Sequence, residues 1–147
     1  MDQNGELEIL VNADNSSTLY CLNKTGDILW NFKSNGYLCT IPAAGDMDNN
    51  GDLEVIVASD KLIHCIDKSG KGLWEKDVPY DISDSALADV NNDGKIEIVF
   101  GGTSATDNST HIYCLGNDGT LIWEYNTNDS DWNSAYSSPV IADLNKD

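Results

Sequence analysis

With 147 residues and an apolar share of 40%, the chain is long enough for one domain with a real core and too apolar to stay disordered. Its 25 Asp and Glu against 8 Lys and Arg leave a formal charge of -17, so a phosphate lattice or an anionic membrane surface would be repelled, which excludes nucleic acid as a natural partner. No apolar run approaches the roughly 18 residues that a membrane-spanning helix needs, which excludes membrane insertion, and the N-terminus has no charged-then-apolar export pattern. The chain opens inside a motif and is expected to be a portion of a longer one, its export signal lying elsewhere.

The elements recur in chain order. The first runs from Gly5 to Val11 as a Gly, a variable residue, an aliphatic, a Glu and a β-branched-rich run. The second, Thr18 to Leu22, is followed by a turn ending in Gly26, and the third, Ile28 to Phe32, carries Trp30. A fourth, Cys39 to Ala44, leads into an acidic loop that starts at Asp46. The series then begins again with Gly51 to Val57, Leu62 to Ile66, Gly70, Gly72 to Glu75 around Trp74, and Asp84 to Ala88 before a loop at Asp89. It begins a third time with Gly94 to Phe100, His111 to Leu115, Gly119, Leu121 to Tyr125 around Trp123, and Ser137 to Ala142 before Asp143. Gly5 and Gly51 stand 46 residues apart, and Gly51 and Gly94 stand 43 apart, both spacings of a four-stranded propeller blade.

Short strands, glycine turns and the lack of helical periodicity predict an all-β fold: a β-propeller fragment of three four-stranded antiparallel blades. The units fall at about 1–45, 46–88 and 89–142 of a single domain, 1–147, with the last strand and a half loop at 137–147. The terminal strands are offset, because the first blade lacks its first strand and the last such strand has no blade behind it. Open sheet edges invite pairing, so two copies are expected to exchange these strands and close a six-bladed ring. Trp30, Trp74 and Trp123 are expected to pack between blades. Cys21, Cys65 and Cys114 hold one equivalent position, too far apart for disulfides, and are expected to be buried filler, as is Cys39. There is no Cys-x-x-Cys pair, and His64 and His111 are not adjacent, which argues against zinc.

The chemistry lies in the acidic loops. Asp46, Asp48, Asn50, Asp52 and Glu54 occupy loop positions one, three, five, seven and nine, with Gly51 at six. Asp89, Asn91, Asp93, Lys95 and Glu97 repeat the spacing around Gly94, and position seven contributes its backbone carbonyl, so Lys95 is no obstacle. Alternating oxygen donors without nitrogen or sulfur suit Ca²⁺, and magnesium is disfavoured by its strict octahedron. Half copies stand at the chain ends: Asp143, Asn145 and Asp147 supply positions one, three and five, while Asp2, Asn4, Glu6 and Glu8 supply three, five, seven and nine. Neither half is complete alone, and paired terminal strands would bring them together. The third unit is lengthened by Gly101 to Thr110 and by Asn126 to Tyr136, and Trp132 and Tyr136 are the candidates for contact with a ligand.

At these loops the chain resembles the FG-GAP or VCBS-type repeats of integrin-α-like β-propellers, which carry Asp-x-Asp-x-Asp-Gly-x-x-Asp loops. The resemblance implies that each five-residue set is one calcium shell, here with Asn at two side-chain positions and Glu at position nine. It also implies a role in adhesion or display at the cell exterior. The strand pairs Leu19-Tyr-Cys-Leu22 with Gly26-Asp-Ile-Leu-Trp30, and Ile63-His-Cys-Ile66 with Gly70-Lys-Gly-Leu-Trp74, are also similar to the repeats of pyrroloquinoline-quinone-type propellers, a likeness of blade packing. The expected function is a non-catalytic, extracellular or cell-surface module binding protein or carbohydrate, with Ca²⁺ as cofactor. The alternative is the propeller portion of an extracellular polysaccharide-active enzyme or of a quinone-dependent dehydrogenase, although no nucleophile and base pair stands out.

Overall fold

The computed structural model describes residues 6–13, 16–78, 80–104, 106–128 and 137–145. Eleven strands form: β1 (Ile9–Asn12), β2 (Thr18–Leu22), β3 (Ile28–Lys33), β4 (Ala43–Gly45), β5 (Glu54–Ser59), β6 (Leu62–Ile66), β7 (Gly72–Asp77), β8 (Tyr80–Ala88), β9 (Glu97–Ser104), β10 (Thr110–Leu115) and β11 (Leu121–Asn126). They make three antiparallel sheets in the order β1-β2-β3, β4-β5-β6-β7 and β8-β9-β10-β11, and no helix occurs among the described residues. The all-β architecture of three blades, the first one strand short, is the one read from the repeats.

The repeat sets the register as well as the strand count. In the last hairpin of each blade a cysteine faces a tryptophan, Cys21 opposite Trp30, Cys65 opposite Trp74 and Cys114 opposite Trp123, and a bulge follows the cysteine each time. The bulge arises because each hairpin turn ends on a glycine in the left-handed region, with φ of 84° at Gly26, 85° at Gly70 and 78° at Gly119. The three repeat cysteines are buried and form no disulfide.

Blade packing follows from the two-residue period of a strand. All six residues of β5 are buried, because this strand has a blade on each side. Val55 and Val57 turn toward the first blade, joining Leu19, Leu38 and Ile66 with Leu10, Trp30 and Phe32 around them. Ile56 and Ala58 turn the other way, into a larger cluster with Ile98, Phe100, Tyr113 and Leu115 of the third blade. Each such side chain contributes roughly 1.5–3 kcal/mol when fully removed from water. The tryptophans lock the spacing: a β-carbon at Gly70 would come within 2.8 Å of the Trp30 ring, and one at Gly119 within 3.2 Å of the Trp74 ring. Trp123, in the last of the three described blades, is 42% exposed.

Three expectations need correction. Cys39 is exposed and is not filler, since it precedes the short strand β4 instead of lying within it. The strand expected from Cys39 to Ala44 is confined to Ala43–Gly45; Pro42, just ahead of it, has no N–H to give to a ladder. Ser137 to Ala142 forms no strand at all, and Val140 is 88% exposed. Within these 147 residues no Gly-x-aliphatic-Glu segment follows it to accept its backbone groups.

Candidate metal centre

Both complete acidic loops adopt one conformation, built by side-chain oxygens bonding back to the loop's own amides. In the first, the Asp46 carboxylate accepts the N–H groups of Asn50 and Gly51, each at 3.0 Å, and Asp48 Oδ1 accepts Asn50 N–H at 3.1 Å. Asn50 Oδ1 accepts Asp52 N–H at 2.7 Å. The second loop repeats this, with Asp89 accepting from Asp93 at 3.1 Å and Gly94 at 2.9 Å, and Asn91 and Asp93 accepting from Asp93 and Lys95 at 2.8 and 2.9 Å. The chain reverses through left-handed residues at the same two places, Asn49 and Gly51 in one loop, Asn92 and Gly94 in the other. Asn49 Nδ2 donates to the Gly94 carbonyl and so ties one loop to the next.

The position-nine glutamates open strands β5 and β9 and are 2% exposed. Glu54 Oε2 accepts Met47 N–H at 2.9 Å, and Glu97 Oε2 accepts Val90 N–H at 3.0 Å, so each clamps position two of its own loop. Burial pushes the Glu54 carboxyl above its ordinary range; the Met47 N–H opposes this, and the charges of Asp48 and Asp46 add to the push. A cation would relieve the same strain that protonation relieves.

The geometry fits such a cation in the first loop. One carboxylate oxygen each from Asp46, Asp48 and Glu54 lie within 4.8 Å of one another. Oxygens that share a Ca²⁺ at about 2.3–2.6 Å must lie within roughly twice that distance of each other. The donors are all oxygen, hard enough for Ca²⁺ and unsuited to softer metals. Asp52 turns its carboxylate outward to Lys68 Nζ at 2.7 Å, leaving its backbone carbonyl as what it can offer at position seven. Among the described residues this is the one such grouping of acids. In the second loop position three is an amide, and Asn91 Nδ2 donates to Asp93 Oδ2 at 3.2 Å.

Of the terminal half loops, Glu6 is exposed and paired with Lys24, Glu8 is half-buried, and Asp143 and Asn145 are exposed. Asp2, Asn4, Asp147, Trp132 and Tyr136 lie outside the described residues.

Two histidine networks lie outside the acidic loops, and no sequence motif marks them. Ser59 Oγ lies 2.7 Å from His64 Nε2, whose Nδ1 is 3.7 Å from Glu75. Ser109 Oγ lies 2.8 Å from His111 Nε2, with Glu124 3.5 Å from Nδ1 and Asp107 3.2 Å from Nε2. The order of groups is that of a nucleophile, base and acid, and all four side chains are buried, Ser59 at 0% exposed, His64 at 3%, Ser109 at 9% and His111 at 5%. No spacing announced these pairs, because Ser59 precedes its histidine by five residues and Ser109 by two. Burial also holds the thiols protonated, pushing Cys65 up to about 12 and Cys114 to about 11.

Residues 6–146 match the model of the family described as outer membrane protein assembly factor BamB. The crystal structure of BamB from Moraxella catarrhalis superposes with a TM-score of 0.56 at 19% identity, over 84% of this chain and 34% of that one. A protein from Bacteroides caccae superposes with a TM-score of 0.57 at 14% identity, over 83% of this chain and 41% of that one. Both likenesses concern the fold. A lambda-carrageenase from Pseudoalteromonas carrageenovora is 32% identical over 79 residues, 53% of this chain and 8% of that protein. The chain thus spans well under half of each of these relatives. A match over nearly every residue, on an all-β frame of repeated blades, places this chain in the BamB family of β-propeller repeats.

Proposed function

We propose that the chain is a calcium-binding β-propeller module that acts outside the cell in binding protein or carbohydrate, without catalysis of its own. The observation that carries this reading is the convergence of Asp46, Asp48 and Glu54 oxygens within 4.8 Å in a loop whose twin recurs one blade later. The FG-GAP-like order of donors supports the same metal. Calcium would neutralise carboxylates that otherwise repel, fix the connection between β4 and β5, and leave the third blade's longer loops free to engage a partner. Millimolar extracellular calcium fills even weak sites of this kind.

Calorimetric titration with CaCl₂ tests the reading, with MgCl₂ as the competitor. Binding of Ca²⁺ in preference to Mg²⁺ is expected, with loss of that heat in Asp48→Ala. At free calcium near 100 times the dissociation constant, stability should rise by about 2.7 kcal/mol. No heat with calcium, together with a melting temperature unmoved by chelator, would overturn it.

The segment shared with the carrageenase favours a second reading, that the chain is the propeller portion of a polysaccharide-active enzyme. Turnover of an acidic polysaccharide by the chain would favour that reading, while binding on a glycan array without turnover favours the first.

A further inference from the structure

At the outer rim of the junction between the first and middle blades, a groove of about 220 Å³ opens between β3 and β7. Phe32 of β3 forms one wall. Its ring centroid lies 5.3 Å from that of His64, tilted by 59°, and its edge stands 3.5 Å from a β-carbon placed on Gly72. Leu73, 48% exposed, and the Glu75 side chain form the other wall. The two-residue period of β7 puts Leu73 and Glu75 on one face, turned to the first blade, while the Trp74 ring between them turns to Gly119 of the third.

The carboxylate in this groove keeps its charge. His64 stands directly opposite Glu75 in the β6–β7 ladder, with Nδ1 3.7 Å from a carboxylate oxygen. Burial lowers the His64 pKa from 6.5, so the ring is uncharged at neutral pH, and its Nε2 is taken up by Ser59 Oγ at 2.7 Å. Among the described residues no lysine pairs with Glu75, whose side chain is 62% exposed. The next junction fills the same repeat positions differently. Lys76 stands where Phe32 does, two residues after the tryptophan, with Cβ and Cγ 3.3 and 3.5 Å from a β-carbon placed on Gly119, and Glu124 stands where Glu75 does. That junction brings a cation of the chain itself, and the first brings an aromatic ring in its place.

We propose that this groove binds the guanidinium of an arginine side chain, presented by a basic segment of a partner protein. The guanidinium plane lies on the Phe32 ring, its N–H fork meets the Glu75 carboxylate, and the methylene stem crosses Leu73. An ammonium has neither the plane nor the fork, which favours arginine over lysine. The formal charge of -17 draws basic segments to this surface before they dock. The proposal rests on the partner-binding half of the function proposed above and is independent of its calcium half.

Titration of the isotope-labelled chain with Nα-acetyl-arginine methylamide, followed by amide NMR shifts, tests it. Saturable shifts at Gly72, Leu73 and Glu75 are expected, and added salt should weaken them. Nα-acetyl-citrulline methylamide, which has the same shape without the charge, should not bind. Glu75→Gln should weaken binding of the arginine probe about tenfold, and Phe32→Leu, which keeps apolar bulk and removes the ring, about two- to fivefold. Circular dichroism separates loss of fold from loss of binding, and the exposed Glu75 carries the test if Phe32→Leu unfolds. Absence of shifts, equal shifts with the citrulline probe, or undiminished binding by Glu75→Gln would each overturn the proposal. A glycan-array signal alongside any of these would leave the partner-binding reading standing while the arginine site falls.

Discussion

The middle blade and the two blades beside it are written in the same residues, yet they differ in what those residues must do. Ile9 and Ile98 hold the same place, four residues after Gly5 and Gly94. Ile98 is 0% exposed, pressed against the middle blade, while Ile9 is 51% exposed, with no blade among the described residues packed on its side. A repeat unit of this kind cannot hide its own apolar faces; the neighbour hides them, so equal residues acquire unequal energies from their place in the row.

That contrast has a size. Ile98→Ala should cost about 2–5 kcal/mol in urea unfolding, and Ile9→Ala no more than about 0.5 kcal/mol in a chain whose first blade is uncovered. Equal losses at high protein concentration would break the contrast and point to a covered first blade.

The glycine turns sharpen it further. Gly26 and Gly70 have nearly the same left-handed backbone, φ 84° and 85°, so alanine pays a conformational cost of about 1–2 kcal/mol at either place. Only at Gly70 does the new methyl also meet the Trp30 ring, at 2.8 Å. Overpacking should add a further 1–3 kcal/mol or so, so Gly70→Ala should unfold at distinctly lower urea than Gly26→Ala. If the two variants were matched, the tryptophan would not be holding the blades together.

The smallest expected effect is a dependence on pH confined to the middle blade, which has His64 where its neighbours have Tyr20 and Tyr113. Burial lowers the His64 pKa from 6.5, and Glu75 only partly offsets this. The folded chain therefore holds fewer protons there than the unfolded chain below pH 6.5. The contribution of this group is level above that pH and is lost as pH falls from 6.5 through the depressed folded value, by no more than about 1.4 kcal/mol per unit. Comparison of unfolding midpoints for the parent and His64→Tyr between pH 7.5 and 5 should show the slope shrink in the variant. An unchanged slope would assign it to other groups.

How much of this was legible beforehand depended on whether a feature was carried by the chain or by its neighbours. The glycine frame, the cysteine and tryptophan hairpins and the spacing of loop donors are local patterns, and each was readable from residues a few places apart. The short reach of β4 and the exposure of Cys39 were not, because Pro42 outweighed the apolar run around it. The clamp that Glu54 and Glu97 place on their loops was missed for a related reason. The motif marks position nine as a donor to metal, while only the fold shows one of its oxygens turned to a backbone amide and the whole carboxylate sealed from water. The Ser59–His64 contact depends on cross-strand register, which no linear spacing encodes.

The tryptophan-over-glycine contacts give the stack a direction. Each unit presents a ring forward and a bare turn behind, so units can add in one orientation only, like nested cups. A reversed unit would set ring against ring and turn against turn, leaving a gap on one side and a collision on the other. Lengthening such an array by duplication of a whole unit therefore brings its own fitting with it, and the insertion of anything less than a unit does not.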